Sequence, residues 1–230
     1  MLAAKGMRFP IDVILVCIRW YAAYPLSYRH LEEMMQERGI CVDHSSINRW
    51  AVRVLPLLEN AFCKHKRPVG ASWRMDETYI KVKGTWHYLY RAVDKEGRTV
   101  DFLLTARRDK AAALRFFEKA MKANGVPDKV PVDKSGANKA AMDEINTSRE
   151  MLIPVRQVKY LNNLVEQDHR AIKRITKPMH NVKSFRTARC VLAGIELMHM
   201  ICKGQCMIKD GYVRSFTDQF YALTGKIRPV

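Results

Sequence analysis

Long apolar runs are missing from this chain. The run Val13–Ile18 is closed off by Asp12 and Arg19 and is far too short to span a bilayer. No signal peptide is visible, and no basic amphipathic helix has the clean apolar face of a membrane-surface protein. The six cysteines (Cys17, Cys41, Cys63, Cys190, Cys202, Cys206) are scattered without the paired spacing of a disulfide scaffold, which points to a reducing cytoplasm. His199, Cys202 and Cys206 lie close together, but their spacing is not a usual zinc pattern, and His199 and Cys202 fit a helix ending at Gly204. Internal repeats and low-complexity tracts are also absent, which excludes a solenoid or a disordered array.

Acidic residues are scarce relative to basic ones. Forty Lys and Arg face 23 Asp and Glu, a formal charge of +17 and a pI near 9.8. Such a field suits a polyanion, and nucleic acid is the commonest large one. Residues 151–230 hold 14 basic and 5 acidic side chains, so the excess is weighted toward the C-terminal third. With 230 residues, 48% hydrophobic and 27% charged, the chain has room for one mid-sized domain and a small one.

Residues 1–66 read as a small all-α domain. Ile11–Tyr21 has helical apolar spacing, Ser27 can cap a second helix, and Asp43 can cap a third that runs to about Leu55. Leu31, Met34 and Met35 face inward on the second helix, and Ile47, Trp50, Ala51 and Val54 on the third; Ile40 and Val42 are expected to be buried. Helix, Gly39-containing connection, helix is the shape of a helix-turn-helix. The outer face of the third helix offers His44, Ser45, Asn48, Arg49 and Arg53, side chains able to contact base edges and phosphates. A plain three-helix packing module remains the alternative.

The basic stretch 64–72 marks a boundary. Strands are expected at Trp73–Val82, Trp86–Val93 and Arg98–Thr105, with turns at Lys83-Gly84 and Asp94–Gly97. Asp109 caps a helix with the stripe Ala113, Leu114, Phe117 and Met121; then come a strand Lys129–Val132, a helix within Ser135–Ile145, a strand Val155–Tyr160, and a long helix capped by Asn162 or Asn163. That order predicts an α/β ribonuclease-H-like domain over 67–202, a mixed five-stranded sheet with flanking helices, followed by a basic tail over 203–230. Trp73, Trp86 and Tyr88 are read as core.

Among many acids, three stand out. Asp76 and Glu77 alternate in one strand, so only one can line a site, and Glu77 is read as a solvated outer-face acid. Asp133 follows a short apolar strand, where α/β sheets place ligand groups, although a turn or cap explains it equally well. Glu166 could belong to a capping box, but it shares a helical face with Arg170 and Lys173. Asp168 lies about 200° around that helix from Glu166 and is set aside. Lys173, Arg174, Lys177, His180, Lys183, Arg186 and Arg189 continue a run nearly free of acids, suited to a phosphate track. Carboxylates converging from separate elements can hold magnesium ions, and a pair of ions serves phosphoryl transfer.

At these residues the chain resembles the DDE-type bacterial insertion-sequence transposases of the sixth insertion-sequence family. The stretches are 24–29 (YPLSYR), 73–84 (WRMDETYIKVKG), 88–94 (YLYRAVD), 133–138 (DKSGAN) and 156–163 (RQVKYLNN) leading into Glu166. The similarity extends over about residues 8–206. It places the family's three acids on Asp76, Asp133 and Glu166, the last two 33 positions apart, and its basic residue on Lys173. It implies a ribonuclease-H-like core using two Mg2+ (or Mn2+) ions, binding to terminal inverted repeats, strand transfer to target DNA, and at least a homodimer on paired ends. Lys173, Arg170, Arg174 and Lys177 are then expected along the DNA backbone, and the setting is a bacterial cytoplasm, at the nucleoid when DNA is bound. The start before Phe9 is short for the family, which leaves a truncated N-terminus open, and the tail after about Met207 adds no usable likeness. A structure-specific nuclease on the same fold, or a DNA-binding repressor or remnant that does not cut, are the rival readings.

Overall fold

The computed structural model describes residues 8–132, 136–147, 149, 151–157, 163–178, 184–207 and 215–225. In chain order its elements are α1 (Ile11–Ala23), α2 (Tyr28–Gln36), α3 (His44–Cys63), β1 (Trp73–Val82), β2 (Thr85–Asp94), β3 (Thr99–Thr105), α4 (Lys110–Asn124), β4 (Val130–Val132), α5 (Gly136–Thr147), β5 (Val155–Gln157), α6 (Asn163–Thr176), α7 (Phe185–Cys202) and α8 (Phe216–Gly225). Packing groups them into two units, residues 1–67 with 172–230, and residues 68–171, the division falling inside α6. The expected boundaries differ on the C-terminal side: α7 belongs with the N-terminal helices, and the expected tail contains α8, with Phe220 and Leu223 buried.

The first unit is helical because its caps and apolar stripes agree. The Ser27 side chain accepts from the His30 N–H while the His30 ring accepts from the Ser27 N–H, a reciprocal cap that starts α2. Asp43 accepts from the Ser45 N–H at 2.8 Å and starts α3. Leu31, Met35 and Val42 are buried as expected, whereas Met34 and Ile40 are only half-buried. The third helix does not stop at Leu55. It continues through Pro56 to Cys63, since burying Leu55, Leu58 and Phe62 outweighs the one backbone N–H that proline lacks.

α7 lies against α1 and α3, and Gly194 allows a close approach to α3. A Cβ at Gly194 would lie 2.6 Å from both methyl carbons of Leu55, itself fully buried. Gly194→Ala is therefore expected to lower stability by about 1–3 kcal/mol through overpacking, although alanine is the better helix former by about 1 kcal/mol. Combined with Leu55→Ala, which relieves the clash but has its own cost, the double variant should lose less than the sum of the two single losses in a denaturant titration. A purely additive double variant would contradict the contact.

In the second unit, β1, β2 and β3 form an antiparallel sheet in that order. Lys83 and Gly84 both have positive φ (48° and 81°), the requirement of the tight turn that joins twisted hairpin strands, and glycine meets it without strain. Asp94 pins the next turn: its carboxylate accepts from the N–H groups of Gly70, Glu96 and Arg98 and from the Arg98 guanidinium at 2.7 Å. Burial alone would raise its pKa, but these donors hold it below the ordinary carboxylate value.

The five expected strands do not form one ladder among the described residues. β4 and β5 make a separate parallel pair, touching β1 through the parallel bridge Ser72↔Lys129 and the Trp73 N–H to the Lys129 carbonyl at 3.2 Å. Val130 donates toward β5, to the Pro154 carbonyl, so the next backbone nitrogen faces β1. That residue is Pro131, which has no N–H to give, and the ladder is broken there. The expected strand residues 158–160 lie outside the described residues.

Trp73, Met75, Tyr90 and Ala92 on one sheet face pack with Ala113, Phe116 and Phe117 of α4 and Met142 of α5. The expected stripe on α4 was displaced by one position: Phe116 and Ala120 are fully buried, while Leu114 and Met121 are peripheral. Trp73 is core as expected, Tyr88 is half-buried, and Trp86 is not core at all. It is 57% exposed, at the far end of the hairpin beyond the helix-covered part of the sheet, with the Lys81 ammonium over its ring.

Candidate active site

Asp76 sits midway along β1, directly opposite Arg91 of β2, so both side chains leave the sheet on one face. That face meets the first turns of α6. His169 Nε2 lies 3.3 Å from Asp76 Oδ2, and Arg91 Nη1 lies 3.4 Å from His169 Nδ1. Arg91 also donates to Asp168 Oδ2 at 2.7 Å. The Arg91 and His169 side chains are 0% and 6% exposed, and those of Asp168 and Asp76 are 10% and 17% exposed. A chain of four largely buried polar groups thus runs from Asp168 through Arg91 and His169 to Asp76, the most exposed of the four. Burying Arg91 is tolerable because Asp168 neutralises it.

Glu166 is exposed one turn before His169 on α6, and residues three apart share a helical face. Arg170, Lys173, Arg174 and Lys177 are exposed, as are Arg186 and Arg189 on α7. Among the described residues Glu166 forms no ion pair with Arg170 or Lys173, so a surface salt bridge does not occupy it. Asp133, His180 and Lys183 lie outside the described residues.

The two neighbouring acids behave differently from each other. Asp168 is engaged by Arg91. Glu77 does point away from Asp76, but it is not solvated: its side chain is 3% exposed and lies 3.3 Å from Arg108 Nε, which precedes α4. The residues missed in the sequence are His169 and Arg91. A histidine three positions after a candidate ligand was a visible signal; the arginine opposite Asp76 became one only with the strand register.

On α3, Arg49 and Arg53 are exposed and line an open cleft of ≈ 530 Å³ with Arg8, Phe9, Cys41, Asp43, Ser46 and Trp50. His44 and Ser45 are engaged locally. His44 Nδ1 is 2.9 Å from Glu32, and the Ser45 hydroxyl donates to Asp43, whose pKa is held low by that hydroxyl and by the Ser45 N–H. Asn48 is half-buried. Glu32, Asp43 and His44 bring their donor atoms within 4.8 Å of one another, and the cap and the His44–Glu32 pair account for that grouping. His199, Cys202 and Cys206 do not assemble into a metal-sized cluster among the described residues.

Residues 70–205 match a family model described as a DDE domain, of the IS240 type of transposase. The transposase for the insertion sequence-like element IS431mec of Staphylococcus aureus (strain N315) is 41% identical over 197 residues, 85% of this chain and 87% of that protein. The transposase of insertion sequence element IS257 in transposon Tn4003, also from Staphylococcus aureus, is 40% identical over the same length and shares. Among solved structures, the integrase catalytic core domain of HTLV-2 in complex with magnesium is similar at a TM-score of 0.45 and 20% identity, over 56% of this chain and 84% of that one. The catalytic core domain of BIV integrase is similar at a TM-score of 0.42 and 13% identity, over 69% of this chain and 98% of that one. The long sequence relatives and the family model carry the assignment: this chain belongs to the DDE transposases of bacterial insertion sequences, in the sixth insertion-sequence family.

Proposed function

We propose that this transposase binds the terminal inverted repeats of its element, cleaves there, and joins the 3′ ends to target DNA, with Asp76, Asp133 and Glu166 as the site's carboxylates on a ribonuclease-H-like core. The observation that carries the reading is the hydrogen bond from His169 to Asp76, which ties the strand bearing one acid to the helix bearing another. Asp133 follows β4 by one position.

Three carboxylates from separate elements are an all-oxygen donor set, which fits Mg2+ or Mn2+ rather than a thiophilic metal. Asp76 is held by a hydrogen bond from behind, as ligating carboxylates commonly are, and Glu166 is exposed and without an ion pair among the described residues. Two such ions, when bound, polarise the attacking and leaving oxygens of a phosphoryl transfer. The chain's own residues position DNA: Arg170 and Lys173 follow Glu166 on its face, Arg174 and Lys177 extend the cationic surface, and Arg49 and Arg53 on α3 suit end recognition by a helix-turn-helix, together with Asn48 and, where their local bonds yield, His44 and Ser45. Protein partners are further copies of this chain on paired DNA ends, in the bacterial cytoplasm. No helix among the described residues is long and apolar enough to cross a membrane.

The test is a joining assay with duplexes carrying the element's end, target plasmid and Mg2+. Strand-transfer products are expected. Cleavage with no joined product would identify a nuclease, and binding with neither would identify a repressor or remnant.

A further inference from the structure

The reading above names the acids but not what aims them. A carboxylate on a strand has two free side-chain torsions, and a divalent cation binds well only when they are already set. Arg91 carries donors only, so His169 Nδ1 must accept from it. The proton of the neutral ring is then on Nε2, directed at Asp76 Oδ2. Arg91 is itself fixed on its other side by Asp168, the residue before His169. Every member of the chain is thus oriented by the next one inward, and the innermost is a fully buried guanidinium anchored on β2.

We propose that His169 is a positioning residue. With its tautomer set by Arg91, it fixes the Asp76 carboxylate in its cation-binding orientation and holds α6, with Glu166 one turn earlier, against β1. This rests on the reading of Asp76 as a metal-binding carboxylate. One side chain therefore acts on two of the three acids without touching the cation or the DNA.

Two amides separate this role from packing. In His169→Asn the side-chain oxygen stands near the Nδ1 position and can still accept from Arg91, so the buried guanidinium keeps a partner, but the amide is too short to reach Asp76. In His169→Gln the terminal NH2 reaches about as far as Nε2 and restores the donor. Binding of Mn2+ alone to the full-length protein, followed by loss of the free-ion electron paramagnetic resonance signal, reads the effect without any turnover. Affinity is expected to fall about 10–100-fold in His169→Asn, the usual cost of losing a hydrogen bond to a metal ligand, and to return to within a few-fold of wild type in His169→Gln. Since only His169→Asn keeps the acceptor for Arg91, His169→Gln is expected to have a thermal midpoint no higher than that of His169→Asn, so its tighter Mn2+ binding cannot come from better packing. Wild-type affinity in His169→Asn would overturn the proposal, and so would a His169→Gln variant as weak as His169→Asn. Asp76→Asn serves as the control: should it bind Mn2+ as wild type does, the carboxylate assignment itself fails, and the positioning role fails with it.

Discussion

Glu166→Gln is expected to bind the element's ends as wild type does and to cut them at least on the order of 10²–10³-fold more slowly, the scale on which a single electrostatic contributor to a transition state is lost. The substitution keeps the volume, the helix and the exposed position, and removes only the negative charge. End binding rests on Lys and Arg side chains, and the chain retains all forty of them. The pair of measurements is a gel shift and a cleavage assay on the same duplex in Mg2+. Undiminished cleavage would remove Glu166 from the site and leave the capping-box explanation standing.

The second large effect is on stability. Arg91 is fully buried, and its guanidinium meets Asp168 at 2.7 Å. Arg91→Met leaves Asp168, with its side chain 10% exposed, as an uncompensated buried charge; the expected cost is about 3–5 kcal/mol. It should appear as a lower denaturant midpoint at unchanged slope. Lysine is no substitute, since a single ammonium cannot serve both Asp168 and His169 in the fixed geometry of the fork. Pairing Arg91→Met with Asp168→Leu removes both charges and should return much of the loss. A single variant as stable as wild type would mean that the buried pair contributes little.

What was legible in the chain was mostly local. The alternation of Trp73–Val82 and the Lys83-Gly84 turn placed the hairpin, and the caps at Ser27, Asp43 and Asp109 began their helices where expected. The opposition of Asp76 and Glu77 follows from the two-residue strand period, and Asp168 falls off the Glu166 face from the helical one. What escaped depends on partners distant in sequence. Arg91 finds Asp168 and His169 across 77 and 78 positions, and nothing in the spacing of either segment encodes that meeting. Pro56 reads as a stop only until the apolar side chains beyond it have something to bury against. Pro131 interrupts the sheet because its missing N–H is on the edge that faces β1. The proposed trio of Asp76, Asp133 and Glu166 rests chiefly on the family resemblance, since each acid alone has an ordinary structural explanation.

The helical unit is built from two separate stretches of the chain, residues 1–67 and 172–230, with residues 68–171 between them in the sequence. Synthesis therefore delivers α1, α2 and α3 well before α7, whose Gly194 receives Leu55. The nascent N-terminal helices must wait, part of their apolar surface open to solvent, while the whole inserted unit is made. A ribosome that stalls or terminates before residue 185 releases a chain that holds α1, α2 and α3 without the α7 that packs on α1 and α3.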